Sequence, residues 1–440
     1  MKILCVSACI FFVAISFCSC SFRQHPSNII PGIDRLNENE CQTLLKGKRI
    51  GVVTNQTGIN SDGDHLVDLL YSTSTSDFTF DKTSGTTSGK TSGKTPSKLQ
   101  AIFSPEHGFF GSTEGGRAIE FNRHETYHCP VYSLYGENRK PTADMLDSID
   151  VLVFDIQDVG ARFYTYISTM YYAMEAAAEN HVPFVILDRP DPVGGLIVEG
   201  PVLQREFESF VGIQPIPLRH GMTVGELAML FRGEGWFSSS DSSELHIIRL
   251  KDWNRRVPKF QLTRNWINPS PNMPDLETAI VYPGMGLIEG TNMSEGRGTD
   301  HPFKCFGAPW LNHQKLCEEM TKLELIGISF DTVSFIPRDK PGVAVDPKYE
   351  GERCFGLQLT VTDYDRYEAV SFATHLICTV KKLHPEEFKW SSSDRIDRLA
   401  GTDSFRKTVD SGIDARAIID MWQNDLVKFE LIRKKYLLYN

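Results

Sequence analysis

Val151-Leu152-Val153-Phe154-Asp155-Ile156-Gln157-Asp158-Val159-Gly160 decides how the chain is read. Four consecutive apolar residues, with no polar alternation, describe a strand covered on both faces. Such strands belong to parallel sheets flanked by helices. Phe184-Val185-Ile186-Leu187-Asp188 repeats the pattern downstream, and Thr165 to Asn180 between them carries apolar residues at helical spacing. Upstream, Arg49-Ile50-Gly51-Val52-Val53-Thr54 and Leu99-Gln100-Ala101-Ile102-Phe103 read as two more strands, with a helix predicted around His65 to Tyr71. Strands that alternate with helices imply an α/β sheet with right-handed crossovers.

This N-terminal α/β unit is predicted over residues 40–205. Beyond Glu206 the texture changes, and residues 206–440 are expected to form a second, mixed α/β unit. There the spacing predicts helices at Thr223 to Phe231, Tyr367 to Leu383 and Ala415 to Tyr439, and strands at Leu245 to Leu250, Gly327 to Ile336 and Phe355 to Val361. Asn265 to Gly307 is rich in Pro, Gly and Asn and has too few periodic apolar residues to predict a helix. Long irregular loops inside compact units are commonly functional. Ser72 to Lys98 is different: Thr-Ser-Gly recurs at 83, 87 and 91, there is almost nothing to bury, and a solvated insertion is expected.

The 440 residues suffice for two domains and a large core without help from disulfides or metal. Acidic residues outnumber basic ones 56 to 46, which argues against a nucleic-acid partner and its basic stripe. Lys2 precedes an apolar run from Ile3 to Phe17, too short to span a bilayer but suited to a signal peptide. Ser19-Cys20 at its end has the form of a lipobox. The expectation is an exported chain, periplasmic or membrane-anchored, with residues 1–20 as leader and a lipid on Cys20. Beyond the leader, the cysteines form no C-x-x-C pair, so buried free thiols are expected for most of them.

Four polar clusters follow buried strands: Thr54-Asn55-Gln56-Thr57-Gly58, Ser104-Pro105-Glu106-His107-Gly108, Asp155-Ile156-Gln157-Asp158 and Asp188-Arg189-Pro190-Asp191. The carboxyl ends of strands in an open parallel sheet are where ligands bind, so the four are expected to converge on one cleft. Glu106 is the sharpest member. Pro105 fixes the backbone before it and His107-Gly108 turns the chain after it, so its carboxyl is expected to be rigid and partly desolvated, as a general acid requires. Arg162 and Tyr164 follow the Asp155 strand, where Arg162 has the fork to grip a substrate carboxylate or to pair with Asp155 or Asp158. The long loop offers Asn272 and then Glu289-Gly290-Thr291-Asn292-Met293-Ser294-Glu295-Gly296-Arg297. No G-x-G-x-x-G, Walker, G-x-S-x-G or H-E-x-x-H pattern accompanies these residues, so neither a dinucleotide, a metal nor any other cofactor is expected.

Val53-Thr54-Asn55-Gln56-Thr57-Gly58, Phe103-Ser104-Pro105-Glu106-His107-Gly108, Phe154 to Gly160, Leu187-Asp188-Arg189-Pro190, Arg219-His220-Gly221-Met222-Thr223 and Glu289-Gly290-Thr291-Asn292 together resemble the exo-β-N-acetylmuramidase family typified by NamZ. The resemblance runs in order from about Gly47 to the C-terminus. It implies a Rossmann-like N-terminal domain, a smaller C-terminal α/β domain and an active site in the cleft between them. It also implies an exported glycosidase that removes N-acetylmuramic acid (MurNAc) from the non-reducing ends of peptidoglycan-derived saccharides. By resemblance Glu106 is the catalytic carboxyl. Phe110 and the Ser72–Lys98 insertion depart from the family pattern without removing a motif residue.

Glycoside hydrolysis usually pairs an acid with a second carboxyl, about 5 Å away for retention and roughly 6.5–9.5 Å for inversion, unless the substrate acetamide attacks instead. Asp158, Asp155, Glu289 and Glu295 are all open as partners for Glu106 and the sequence does not choose among them; Asp158 and Glu295 are carried as the catalytic candidates. Asn55, His107, Asp155, Arg162, Tyr164, Asn272, Glu289, Asn292 and Arg297 are the expected substrate contacts. The lactyl carboxylate of MurNAc gives Arg162 or Arg297 a role, and Tyr164 or Tyr166 could stack on the sugar. Two alternatives stay open: a metal-dependent esterase or amidase built on Asp155, Asp158 and His107, and a non-catalytic wall-binding lipoprotein.

Overall fold

The structure, a computed structural model, describes residues 29–75, 98–114, 122–256 and 266–440. The expected leader with Cys20 lies outside the described residues, as does 76–97 of the Thr/Ser/Gly-rich stretch. The chain runs through α1 (Asn39–Leu45), β1 (Arg49–Thr54), α2 (Leu66–Thr75), β2 (Lys98–Ser104), the two-residue β3 (Asn122–Arg123) and β4 (Pro130–Ser133). Next come α3 (Ala143–Leu146), β5 (Val151–Asp155), α4 (Tyr166–Glu179), β6 (Phe184–Leu187), a hairpin of β7 (Glu199–Val202) and β8 (Pro217–Arg219), α5 (Val224–Gly233) and β9 (Leu245–Ile248).

One seven-stranded sheet has the order β3-β4-β2-β1-β5-β6-β9, parallel except for the β3–β4 pair at its edge. Side chains alternate between its faces. Val52, Val153 and Val185 pack into one core cluster, while Val53, Leu152, Phe154 and Ile186 pack into the other. The chain leaves β1 toward β2 on one side and returns to β5 on the other. That reversal opens a crevice at the carboxyl ends of β1, β2 and β5, where the Asn55, Glu106 and Asp158 motifs begin.

The remainder comprises α6 (Leu276–Met285), β10 (Cys305–Ala308), α7 (His313–Thr321), β11 (Ile328–Phe335), β12 (Cys354–Val361), α8 (Ala369–Leu383), α9 (Ser393–Ala400), α10 (Ser404–Asp410) and α11 (Ala415–Arg433). Strands β10, β12 and β11 form an antiparallel sheet in that order. Buried charge ties this part to the two-stranded β7–β8 hairpin. Arg219, fully buried on β8, donates to Glu199 Oε1 at 3.0 Å and to the Tyr367 carbonyl at 3.0 Å. Glu199 Oε2 in turn accepts from the Val370 and Ser371 amides at the start of α8, satisfying donors that the helix itself leaves open.

Several expectations shift. Helix α2 runs on to Thr75 and β2 begins at Lys98, so both ends of the expected insertion are ordinary secondary structure. The strand expected near Leu245 closes the large sheet beside β6, so that sheet draws on residues beyond 205. Residues 276–285, read as non-helical, form α6. Asp275 caps it by accepting from the Thr278 amide, and Leu276 together with all of 278–285 is buried. A helix covered on nearly every side has no polar face, so it shows no period. The six cysteines among the described residues are free thiols; Cys317 and Cys378 are half-buried and the other four buried.

Candidate active site

Glu106 stands at the turn after β2, half-buried, and its Oε2 accepts a 2.7 Å hydrogen bond from Thr165. Thr165 is the N-cap residue of α4, yet its hydroxyl makes no capping bond within the helix. It is spent on the carboxyl instead. The turn is built by backbone handedness: His107 and Gly108 have φ of 70° and 77°, a region that non-glycine residues seldom occupy. The His107 ring meets the Thr113 carbonyl at 2.7 Å, and burial holds its pKa below the ordinary histidine value.

Around Glu106 stand three buried phenols. Tyr164 packs edge-on against Tyr166 at 4.7 Å and against Tyr282 at 5.8 Å, and Tyr166 donates to the Pro269 carbonyl. Burial pushes all three phenols up, so they stay protonated. Because Tyr164 is only 6% and Tyr166 only 1% exposed, they wall the site rather than offer a stacking face. Tyr282 lies close enough to feel the charges of Glu289, Arg297 and Glu106 together, which brings the long-loop residues to the same place as the sheet-edge motifs.

The expected carboxylates sort by their partners. Asp155, wholly buried, is gripped by Arg189 through Nε at 2.5 Å and Nη2 at 2.9 Å, a structural ion pair rather than a substrate contact. Glu289 accepts from Arg297 at 2.9 Å and Arg395 at 2.6 Å; burial opposes its charge, but Arg297, Arg395 and Lys348 hold its pKa below the ordinary value. Glu295 is buried beside Lys348 at 3.1 Å, with Arg297 Nε at 3.6 Å. Asp158 differs. Its Oδ2 accepts from the Gly160 amide at 2.7 Å, but buried Oδ1 has no hydrogen-bond partner. Burial pushes its pKa up to about 7, against the pull of the Gly160 and Val159 amides.

Beside Asp158 is His220, whose Nδ1 accepts from the Met222 amide, so Nε2 carries the proton and faces Asp158 Oδ2 at 3.9 Å. Burial, helped by Arg433, Arg162 and Arg219, lowers the His220 pKa to about 3, so this ring is neutral. A carboxyl raised from 3.8 to about 7 on folding stabilises the fold most at acid pH, and loses that contribution as pH climbs through 7. Between pH 5 and pH 8 the loss is about 2–3 kcal/mol. Asp158→Asn is therefore expected to flatten the pH dependence of stability by that amount in urea titrations. Parallel curves for the two proteins would refute the assignment.

Three other expected contacts are placed elsewhere. Arg162 is 1% exposed and spends its guanidinium on the carbonyls of Pro201 (2.8 Å), Ile216 (2.9 Å) and Leu399 (3.0 Å). It fastens the β7–β8 hairpin to the end of α9 and cannot reach a ligand. Asn292 pairs with the backbone at Glu387 and Lys389. Asn272 donates to the Val343 carbonyl at 2.6 Å and so ties two loops together. Asn55 accepts from the Thr57 amide and hydroxyl, while its buried Nδ2 has no partner. Sequence reasoning missed Thr165, Tyr282, Lys348 and Arg395. Thr165 had one signal, its place as the first residue of the stretch with helical spacing.

Beyond this centre opens a cleft of about 600 Å³, walled by segments near Phe110, Trp266 and Pro341. Gln56 lines it and donates to the Asn268 and Pro269 carbonyls at 2.7 and 3.0 Å.

The family described as exo-beta-N-acetylmuramidase NamZ matches this chain with its N-terminal domain over residues 50–277 and its C-terminal domain over 280–439. The peptidoglycan beta-N-acetylmuramidase NamZ of Bacillus subtilis (strain 168) is 44% identical over 408 residues, covering 93% of this chain and 91% of that protein. Crystal structures of two DUF1343 family proteins from Bacteroides fragilis superpose on it. The first has a TM-score of 0.80 at 33% identity, covering 94% of this chain and 100% of that one; the second has 0.70 at 31%, covering 94% and 99%. With both domains matched in order and the sheet-edge and long-loop motifs meeting around Glu106, the chain belongs to the NamZ exo-β-N-acetylmuramidase family.

Proposed function

We infer that this chain is an exo-acting β-N-acetylmuramidase, a glycoside hydrolase that releases MurNAc from the non-reducing ends of peptidoglycan fragments. The observation that carries the reading is Glu106: a rigid, half-buried carboxyl oriented by Thr165, in a wall of protonated tyrosines, at the crevice of the parallel sheet. In this reading Glu106 protonates the leaving oxygen. Asp155, Glu289 and Glu295 are committed to Arg189, Arg297, Arg395 and Lys348, which leaves Asp158 as the expected carboxyl without a cationic partner. Mass spectrometry of a defined MurNAc–GlcNAc disaccharide after incubation, with and without EDTA, tests the activity. Intact disaccharide would overturn it, and loss of turnover in EDTA would favour the metal-dependent alternative.

Arg297 is assigned to the lactyl carboxylate. Its side chain is about one-third exposed, and the charges of Glu289 and Glu295 keep it protonated despite burial. Charge-assisted hydrogen bonds contribute about 1.5–3 kcal/mol, so Arg297→Ala is expected to raise KM for MurNAc glycosides roughly 10- to 100-fold. The matching GlcNAc glycosides, which lack the carboxylate, should respond much less. An equal loss on both series would remove Arg297 from substrate recognition.

A further inference from the structure

Resting on the muramidase reading, we propose that the cleft between Phe110 and Trp266 is the aglycone subsite, which receives the neutral N-acetylglucosamine side of the scissile bond. The first argument is position. Phe110 is four residues beyond Glu106, on the next turn, which the Gly111 amide closes on the Gly108 carbonyl at 3.2 Å just as the Gly108 amide closes the Glu106 turn on the Pro105 carbonyl at 3.0 Å. Ser270 lines the cleft and directly follows Pro269, whose carbonyl accepts from Tyr166 of the catalytic wall.

The second argument is charge. MurNAc is an anion and its neighbour in the glycan is not. The Arg297 side of the centre is dense with charge, whereas the described residues lining the cleft include no ionisable side chain. Their polar groups are amides and hydroxyls, from Gln56, Asn268 and Ser270. A neutral sugar bearing hydroxyls and an acetamide matches that inventory, and an anionic one does not.

The third argument is the aromatic pair. Phe110 is 70% exposed, the only strongly exposed large aromatic among the described residues. Its ring is braced against Phe109 at 5.0 Å and 68°. Trp266 is half-buried and its indole N–H is anchored on the Met273 carbonyl at 3.1 Å. An exposed phenyl ring and an anchored indole lining one cleft give a pyranose apolar surface to pack on. A volume of about 600 Å³ falls within the usual range for small-ligand sites, about 300–1,000 Å³.

The test compares MurNAc–GlcNAc with the methyl β-glycoside of MurNAc, whose aglycone is too small to reach either ring. Phe110→Ala and Trp266→Ala are expected to raise KM for the disaccharide about tenfold, with kcat little altered, and to affect the methyl glycoside at least several-fold less. Phe110→Tyr should restore the disaccharide KM. A second arm titrates methyl β-GlcNAc into the wild type and both variants by calorimetry, and expects weaker binding in each variant at an unchanged unfolding temperature. Equal losses on both glycosides, or undiminished binding of methyl β-GlcNAc, would overturn the subsite. A wild type inactive on both glycosides would instead sink the muramidase reading, with the calorimetric arm still deciding what the cleft binds.

Discussion

Glu106→Gln is expected to hydrolyse MurNAc–GlcNAc about 10²- to 10⁴-fold more slowly than the wild type while binding it nearly as well. The amide keeps the length of the side chain and can still accept from Thr165, so the turn at His107 and Gly108 has no reason to rearrange. What disappears is the proton for the leaving oxygen. The deficit should therefore shrink with aryl glycosides of MurNAc, whose leaving groups depart as stable anions. Asp158→Asn should slow both substrate types to the same degree if Asp158 works on the anomeric side. Turnover of the disaccharide by Glu106→Gln within a few-fold of wild type would end the general-acid assignment.

Arg162→Ala is expected to act on the fold and not on the substrate. Three carbonyls, of Pro201, Ile216 and Leu399, would lose their donor inside a site from which water is excluded. Each orphaned acceptor costs about 1–3 kcal/mol, and relief from burying the guanidinium offsets part of the sum, so a net loss of about 3–5 kcal/mol is expected. Burial already lowers the Arg162 pKa to about 9, the sign of a charge held in place by dipoles without a carboxylate. The KM of the folded fraction should stay near wild type. A large rise in KM at unchanged stability would return Arg162 to the substrate site.

Those two predictions mark where sequence reading succeeds. Local pattern carries the sheet: the runs at 50–53, 101–103, 151–154 and 184–187 are apolar because both faces are covered, and periodicity reports that directly. The turn at Glu106 was legible for a similar reason, since Pro105 and Gly108 announce backbone constraint. Partner choice was not legible. Nothing near Asp155 in sequence says that its counter-ion is Arg189, 34 residues on, or that Arg162 finds carbonyls as far away as Leu399. An arginine beside aspartates reads as a pair or a ligand clamp, and only the crossovers decide. Helix α6 escaped because burial on nearly every face erases the signal that a half-exposed helix displays.

Lys348 shapes the far side of the site in a manner akin to coordination chemistry. Its ammonium sits among the carbonyl oxygens of Ile288, Glu289, Thr291 and Met293 at 2.9–3.3 Å, with Glu295 Oε2 at 3.1 Å. Five oxygens around one small cation is the arrangement of an alkali ion in a crown ether, here with the ion tethered to the chain. The ring it closes is the loop that bears Glu289 and leads to Arg297, so that loop is wound around a point and cannot slacken without exposing several carbonyls at once. A planar guanidinium could not fill the same hole. The loop that carries Glu289 and Arg297 is therefore held in shape by a charge of its own chain.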